Sequence, residues 1–334
     1  EFSHIGEGAN KRYFIPSTSI KGMIRNVMEI MSFSRMKQVD DNQFSIRDLS
    51  SNNNYYMNQM KSTEGNKTHC GWLKQDKNGN WSILDCGEPG RINHLELKEK
   101  LGLGFREEFL NKEPKNDEAK SAKYKYYEAY KQKNFSLRNK FKTIRQDTRL
   151  KAFFHSEGDD GTIVFTGQPG KRKELGEDKT RHNGKFYEFV FFEKENSVEI
   201  DISLEQQKIF KFIYKDSDRD NISPDWNFWR EKLKKGEHVP VFFKKTGKKI
   251  QHFGLSYLYK LPLENSILKT APMNSYKKDT LDFSEVVFGM SNAFNSLKGR
   301  VFFSNAFADN VNVGKEVKEI FGAPKASYLP FYLD

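Results

Sequence analysis

Residues 14–31 read FIPSTSIKGMIRNVMEIM and carry the clearest helix signal in the chain. Pro16 restricts the residue before it to extended geometry, which predicts a short strand over residues 13–15. One of Ser17, Thr18 or Ser19 can then cap a helix. Apolar residues follow at the spacing of an amphipathic helix that buries one face, namely Ile20, Met23, Ile24, Val27, Met28 and Met31.

Two cations of this stretch, Lys21 and Arg25, are predicted to lie one turn apart on the face opposite the methionines. The hydroxyl groups and free backbone amides at the helix start, together with the helix dipole, favour a bound anion such as a phosphate. An ordinary solvent-exposed helix face explains the same pair more simply. The helix alone leaves both interpretations open.

The whole chain is basic, with 56 Lys and Arg against 45 Asp and Glu among 334 residues, a net charge of +11 and a pI near 9.3. Nucleic acid is the leading partner class, because each phosphate that a protein neutralises releases counterions. A membrane surface is the weaker alternative. We expect no membrane partner, since no apolar run is long enough to span a bilayer.

The chain has two cysteines, Cys70 and Cys86, which indicates a reducing compartment and predicts a cytoplasmic protein. They lie symmetrically about Asn78 in HCGWLKQDKNGNWSILDCG, where Asn-Gly predicts a hairpin turn. His69 and His94 are near enough for a zinc site to be conceivable, but the usual CxxC spacing is missing. We expect the cysteines to pack across the hairpin as small apolar side chains.

Other stretches predict further elements of a mixed α+β fold. Residues 37–66 are polar and Asn-rich and are interpreted as a loop. Helices are predicted in HLELKEKLGLG, in the segment opened by the capping box of Ser203 and Gln206, and in SPDWNFWREKLKKG with Ser223 as its cap. Strands are predicted at GTIVFTG, at KFYEFVFFE, in a hairpin that turns near Thr246–Gly247, and in LKGRVFFSNAF after Gly299.

Residues 112–151 are strongly basic and rich in tyrosine, and partly helical structure is predicted for them. Tyr124, Tyr126, Tyr127 and Tyr130 could stack on bases while the lysines follow a nucleic-acid backbone. A solvated helix face with aromatic anchors in the core explains the same composition about equally well. The net positive charge of the chain keeps the first interpretation open.

The usual enzyme signatures are absent from the sequence, including GxxxxGK[ST], HExxH, GxSxG and paired CxxC motifs. In the first loop, His4 and Glu7 could serve in acid–base chemistry or as metal ligands. The seven histidines are scattered without ligand spacing. Surface or hydrogen-bonded histidines are therefore the simpler interpretation.

IPSTSIKGMIRNVMEI resembles the IPGSSLKGxxR signature of CRISPR-associated RAMP proteins, an RRM-related family that coats guide RNA in defence complexes. Three later segments resemble the family in the same order. DFSEVVFG is similar to its acidic-then-FG segment, and LKGRVFFSNA is similar to its GRxxFxDA strand. FGAPKASYLPFYL resembles the proline-aromatic continuation of a large, insertion-bearing type III subfamily.

The resemblance covers residues 4–36 and 252–334 and implies a ferredoxin-like (RRM-like) core, with residues 1–36 as its first part and 252–334 as its second. Residues 37–251 would be a large α+β insertion with a β-hairpin, a basic helical region and a small β-rich part. The family's first strand and C-terminal glycine-rich loop have no counterpart. We therefore expect the chain to be truncated at one or both ends. Asn305 stands where the family often has Asp.

The resemblance implies a subunit that binds guide RNA, meets target RNA and packs against other CRISPR effector subunits. Family members would hold backbone phosphates at the positions of Ser17, Thr18, Ser19, Lys21, Gly22, Arg25, Gly299 and Arg300. Many also cut target RNA with an Asp before the IPGSS segment, aided by a divalent metal. Here that loop offers only Glu7 and His4, so catalysis stays unassigned, and a divalent metal is expected only if the chain cleaves RNA.

Two alternatives to this RNA-binding function stay open. One is an RNA endonuclease that cuts target RNA or matures guide RNA. The other is a protein-docking scaffold with no direct role in RNA binding.

Overall fold

The structure is a computed structural model and describes residues 3–34, 41–102, 137–166, 186–193, 197–218, 222–270, 281–291 and 295–309, with residues 314 and 333. The helices in these residues are α1 (Ser17–Met31), α2 (Tyr55–Met60), α3 (His94–Leu101), α4 (Leu204–Ile213), α5 (Pro224–Lys234) and α6 (Phe283–Phe288). None of these helices is both long and apolar enough to cross a membrane.

The strands in the same residues are β1 (His4–Ile5), β2 (Arg12–Ile15), β3 (Ser45–Ile46), β4 (His69–Gln75), β5 (Trp81–Asp85), β6 (Gly90–Asn93), β7 (Arg138–Gln146), β8 (Arg149–Phe154), β9 (Asp159–Val164), β10 (Tyr187–Phe191), β11 (Glu199–Ile202), β12 (Val239–Thr246), β13 (Lys249–Gly254), β14 (Leu261–Pro262), β15 (Met290–Ser291), β16 (Ser296–Leu297) and β17 (Ala306–Phe307). The predicted α+β class is confirmed.

The chain divides into two compact units. We name Glu1–Asn42 with Glu264–Asp334 the split unit, and residues 43–263 the barrel unit. The boundaries implied by the resemblance lie after residues 36 and 251. The second of these falls inside β13, which pairs along its length with β12 in the barrel unit. The division therefore comes later in the chain, where β14 has ended.

The barrel unit contains a closed five-stranded barrel, with the strand order β10-β6-β8-β7-β9. All neighbours are antiparallel except β6 and β8, which pair in parallel through Arg91 and Lys151. The barrel interior is filled by apolar side chains from every strand and from α3, including Ile92, Leu97, Phe141, Ala152, Ile163 and Val190.

A five-stranded antiparallel sheet, β11-β5-β4-β12-β13, forms the second layer of the barrel unit. One face packs against α4 and α5 around Trp81, Phe210 and Trp226, whose rings lie 4.9–5.6 Å apart. The other face contacts the barrel, where Phe189 and Phe191 meet Phe242 at 4.8 and 5.3 Å between ring centroids. The sheet therefore contributes to two apolar cores, one against α4 and α5 and one against the outside of the barrel.

Several local predictions for the barrel unit are confirmed. The KNGN turn joins β4 and β5, with Asp76 accepting the amide of Asn80. Ser203 and Gln206 form both bonds of the capping box at the start of α4. Gly102 ends α3 with a φ of 66°, a left-handed conformation that glycine adopts without steric cost. Ser223 lies at the start of α5, although its side chain makes no capping bond.

One prediction for the barrel unit is wrong, and another is tested only in part. The described end of the basic stretch, residues 137–151, forms β7 and the start of β8, because alternate residues such as Phe141 face the barrel core, and the rest of the stretch, with the partly helical structure predicted for it, lies outside the described residues. Its four tyrosines lie outside the described residues. The supposed loop 37–66 contains α2, which Asn54 caps by accepting the amide of Met57 at 2.8 Å. Tyr56 and Met60 of α2 are fully buried, a packing that a polar composition does not reveal.

The split unit contains a three-stranded antiparallel sheet, β1-β2-β17, and a short ribbon of β15 and β16. The predicted strand 13–15 is confirmed as part of β2. The strand predicted to follow Gly299 is not confirmed, because residues 298–305 have no regular structure and pairing resumes only at β17.

Helix α1 forms as predicted, but the expected burial of its apolar face is wrong. Ile20, Ile24 and Met28 are half-buried, while Met23 and Met31 are 62% and 72% exposed. Val27 and Ile30 are exposed as well. The helix therefore keeps an apolar stripe that no described part of the chain covers.

Candidate nucleic-acid interface

The two most characteristic motif segments meet in the sheet of the split unit. Strands β2 and β17 pair with Ile15 opposite Ala306 and Phe14 opposite Phe307. Just beyond this pairing, the amide of Ser17 donates to Oδ1 of Asn305 at 2.9 Å, across 288 residues of sequence. The start of IPSTSIKG is therefore held by the end of LKGRVFFSNAF.

The start of α1 is capped differently from the prediction. Pro16 is the N-cap and no side chain of the hydroxyl cluster caps the helix, because Ser17, Thr18 and Ser19 are already its first turn. Asn305 takes the first amide, and the amides of Ser19 and Ile20 bond to the carbonyl of Pro16. The exposed hydroxyls of Thr18 and Ser19 stay at the positive end of the helix dipole.

A third motif segment packs closely against the Gly299–Arg300 part of the second. Helix α6 is the body of DFSEVVFG and begins with a capping box between Asp282 and Glu285. The amide of Arg300 donates to the carbonyl of Val287 at 2.9 Å. A Cβ on Gly299 would come within 2.6 Å of the Phe288 carbonyl oxygen. The close approach that Gly299 permits is therefore made by the protein's own backbone.

The predicted cations differ in their surroundings. Arg25 lies over the helix with its side chain only 17% exposed, and its Nε donates to Glu29 Oε1 at 2.7 Å. Glu29 also lies 3.4 Å from the hydroxyl of Ser284 in α6. Glu29 thus links α1 to α6 and neutralises Arg25. Lys21 is half-buried and Arg300 is exposed.

Arg12 is a further cation near the site that was not predicted from the sequence. The guanidinium of Arg12 on β2 lies 4.8 Å from the centre of the Phe307 ring on β17, an attractive cation–π arrangement. Only the pairing of β2 with β17 reveals this neighbour, and the residues around Arg12 carry no signal for it.

The positions of His4 and Glu7, the two catalytic candidates, add little support for a catalytic role. His4 lies on β1 opposite Tyr13, with 5.8 Å between the ring centroids. Glu7 is exposed and precedes a 3₁₀ turn at Gly8–Asn10, without a capping bond from its side chain. In the described segments, no three His, Cys, Asp or Glu side chains are close enough together to hold a metal ion.

The cysteines of the barrel unit pack across the hairpin. Cys70 and Cys86 are buried and free, and the amide of Cys86 donates to the carbonyl of Cys70 at 2.9 Å. Burial raises the pKa of the Cys86 thiol to about 12. The thiol therefore stays protonated at neutral pH and behaves as a small apolar group.

Alanine at Gly22 and at Gly299 should have opposite effects on stability. A Cβ at Gly22 meets nothing within 4 Å, so Gly22→Ala should raise the free energy of unfolding by about 0.5–1 kcal/mol through helix propensity. Gly299→Ala should lower it by about 1–3 kcal/mol, because its Cβ collides with the Phe288 carbonyl. Urea unfolding of each variant measures both. Equal effects at the two positions would contradict the described packing.

A scan against protein-family models gives no match for this chain, and a search of curated proteins gives no significant match either.

Proposed function

We propose that the chain is an RNA-binding subunit of a CRISPR type III effector ribonucleoprotein and that the split unit is its ferredoxin-like RAMP core. The observation that carries the proposal is the junction of the three motif segments. Ser17 bonds to Asn305, and Arg300 bonds to Val287. Segments that resemble one family and lie far apart in sequence thus build one surface.

The surface suits a phosphate backbone rather than bases. The start of α1 carries the exposed hydroxyls of Thr18 and Ser19, with Lys21 in the next turn. Two further cations lie on the segments joined to it, Arg300 beside Val287 of α6 and Arg12 over the ring of Phe307. The positive end of the helix dipole attracts anions, although the amides of Ser17, Ser19 and Ile20 already have partners within the protein. Such contacts carry no sequence information, so sequence would be read by base pairing between guide and target, as in other RNA-guided systems.

The apolar stripe of α1 supports assembly with other protein subunits. Met23, Val27, Ile30 and Met31 are each at least half exposed on one helix, and Phe33 just after it is 80% exposed. Contiguous exposed apolar surface of this kind marks interaction sites in folded proteins. Other effector subunits would cover it in the complex, with guide RNA bound at the helix start.

Replacing Lys21 and Arg300 with alanine together should weaken binding of a guide-length RNA about tenfold at 0.1 M salt. The slope of log affinity against log salt should fall by about 1.4, because each phosphate contact to a single strand contributes about 0.7. Fluorescence anisotropy across a salt series measures both quantities.

The matched control replaces Lys77 and Lys248, two exposed lysines in hairpin turns of the barrel unit, and removes the same charge. Arg25 is left unchanged because its ion pair with Glu29 makes it structural. An affinity and a salt slope that match those of the control would refute the proposed function.

A further inference from the structure

A second basic surface lies on the barrel unit, on the outer face of the β7–β8 hairpin. Phe141 and Ala152 point into the barrel core. Side chains alternate along a strand, so their neighbours in sequence point outward. The outward set, which we name the hairpin face, comprises Arg138, Lys140, Lys142, Ile144 and Gln146 on β7 with Arg149, Lys151 and Phe153 on β8.

The strand register brings these outward side chains together. Lys142 is opposite Phe153, Ile144 is opposite Lys151, and Gln146 is opposite Arg149. Same-face residues on one strand recur about every 7 Å, and directly opposite pairs lie about 5 Å apart. The hairpin face is therefore a compact ladder of cations around two apolar side chains.

Among the residues that the structure describes, cations outnumber carboxylates on the hairpin face. Its cations Lys140, Lys142, Arg149 and Lys151 meet two carboxylates there, Asp160 opposite Lys140 and Glu157 at 3.7 Å from Lys142. The inward side of the same strand shows the contrast. There Arg145 is paired with both oxygens of Glu88, at 3.2 and 2.7 Å.

Two aromatic rings accompany the cations, one exposed and one half-buried. Phe153 is 38% exposed and Ile144 is 61% exposed within the cationic ladder. On the neighbouring strands, Tyr187 of β10 lies opposite Asn93 of β6, and its ring centre is 6.0 Å from the Lys151 ammonium. A cationic face that offers aromatic rings lets bases stack while phosphates meet lysines, the usual arrangement for single-stranded nucleic acid.

We propose that the hairpin face is a second nucleic-acid site, which binds one single strand with its phosphates on Lys140, Lys142 and Lys151 and a base on Phe153. It lies in the other unit from the motif cluster and does not depend on the proposed function. Its ligand is defined by a phosphodiester backbone and unpaired bases, which single-stranded RNA and DNA share.

The first test is cross-linking on the full chain, which locates the bound strand. A 12-nucleotide RNA and the matching DNA, each carrying 5-iodouracil bases, are irradiated with the protein, and the cross-linked peptides are identified by mass spectrometry. Cross-links within residues 138–154 are expected from at least one of the two strands. Their absence from both would overturn the proposal, and the comparison shows which sugar is preferred.

The second test compares Lys140→Ala/Lys142→Ala/Lys151→Ala with Lys208→Ala/Lys248→Ala/Lys249→Ala, three exposed lysines elsewhere in the barrel unit. Anisotropy with the same oligonucleotides should show about a tenfold or greater loss and a salt slope lower by about 2 for the hairpin variant only. Equal losses in both variants would reduce the site to general charge attraction and overturn the proposal.

Substitutions of Phe153 distinguish base stacking from charge attraction. Phe153→Ala should weaken binding about fivefold or more at unchanged salt slope, whereas Phe153→Tyr should retain it, because tyrosine keeps the ring. Circular dichroism melting checks that each variant is folded, and a parallel Phe153→Leu variant keeps apolar bulk without the ring. If the leucine variant binds as tightly as the parent, no base stacks on Phe153 and that part of the site is refuted.

Discussion

Replacing Glu188 with alanine should lower the free energy of unfolding of the barrel unit by about 3–5 kcal/mol. The side chain of Glu188 is fully buried, and its two oxygens have different partners. Oε1 lies 3.0 Å from Nε2 of His94, and Oε2 accepts the amide of Thr166 at 3.1 Å. Removing the carboxylate takes away both contacts in a region where water cannot replace them. Chemical unfolding at neutral pH measures the loss.

The control for this prediction is Glu199→Ala. Glu199 belongs to β11 of the same unit and contacts Ser82 and Lys74, but its side chain is 50% exposed. Exposed ion pairs contribute little, so the expected loss is below about 1 kcal/mol. A similar loss for the two variants would mean that the Glu188 contacts are not the source of barrel stability.

Raising the pH from 8 to 10 should stabilise the native protein relative to Lys244→Met by about 2–3 kcal/mol. Lys244 is fully buried, and its ammonium donates to the carbonyls of Lys61 and Asn66 at 2.9 and 2.5 Å. Burial lowers the pKa of Lys244 from 10.5 to about 8. Between these values the unfolded chain holds the proton and the folded chain does not, so the free energy of unfolding rises with pH.

The measurement is urea unfolding of both proteins at several pH values from 7 to 10. Below pH 8 both states keep the proton and the difference between the two proteins should be constant. Lys248→Met, at an exposed turn position, should follow the parent at every pH. Parallel curves for the parent and Lys244→Met would show that the Lys244 ammonium is not desolvated.

The elements that could be predicted from sequence are those set by local chemistry. The Asn-Gly turn, the capping box of Ser203 and Gln206, and the glycine that ends α3 each require only neighbouring residues. The β7–β8 hairpin was missed because its outward positions are mostly charged or polar. Its strand character comes from Phe141 and Ala152, which fill a barrel built from distant segments.

Some features of the candidate site could also be predicted from the sequence, and others could not. The motif segments could be identified from sequence, and the bond from Ser17 to Asn305 is a contact between them. The ion pair of Arg25 with Glu29 was also within reach, since residues four apart on a helix are neighbours. The exposure of Met23 and Met31 could not be predicted from the sequence. A helical period shows which residues share a face, but it does not show whether anything covers them.

The short pairing of β3 with β14 has a consequence for how this chain could have arisen. Ile46 lies opposite Leu261 and Ser45 opposite Pro262, so the strands through which the chain enters and leaves the barrel unit are adjacent. Paired residues in antiparallel strands are about 5 Å apart. A folded module with neighbouring ends adds little loop-closure entropy to a host that receives it in one of its loops. The barrel unit thus has the geometry of an inserted domain, which an ancestral gene could acquire in one event.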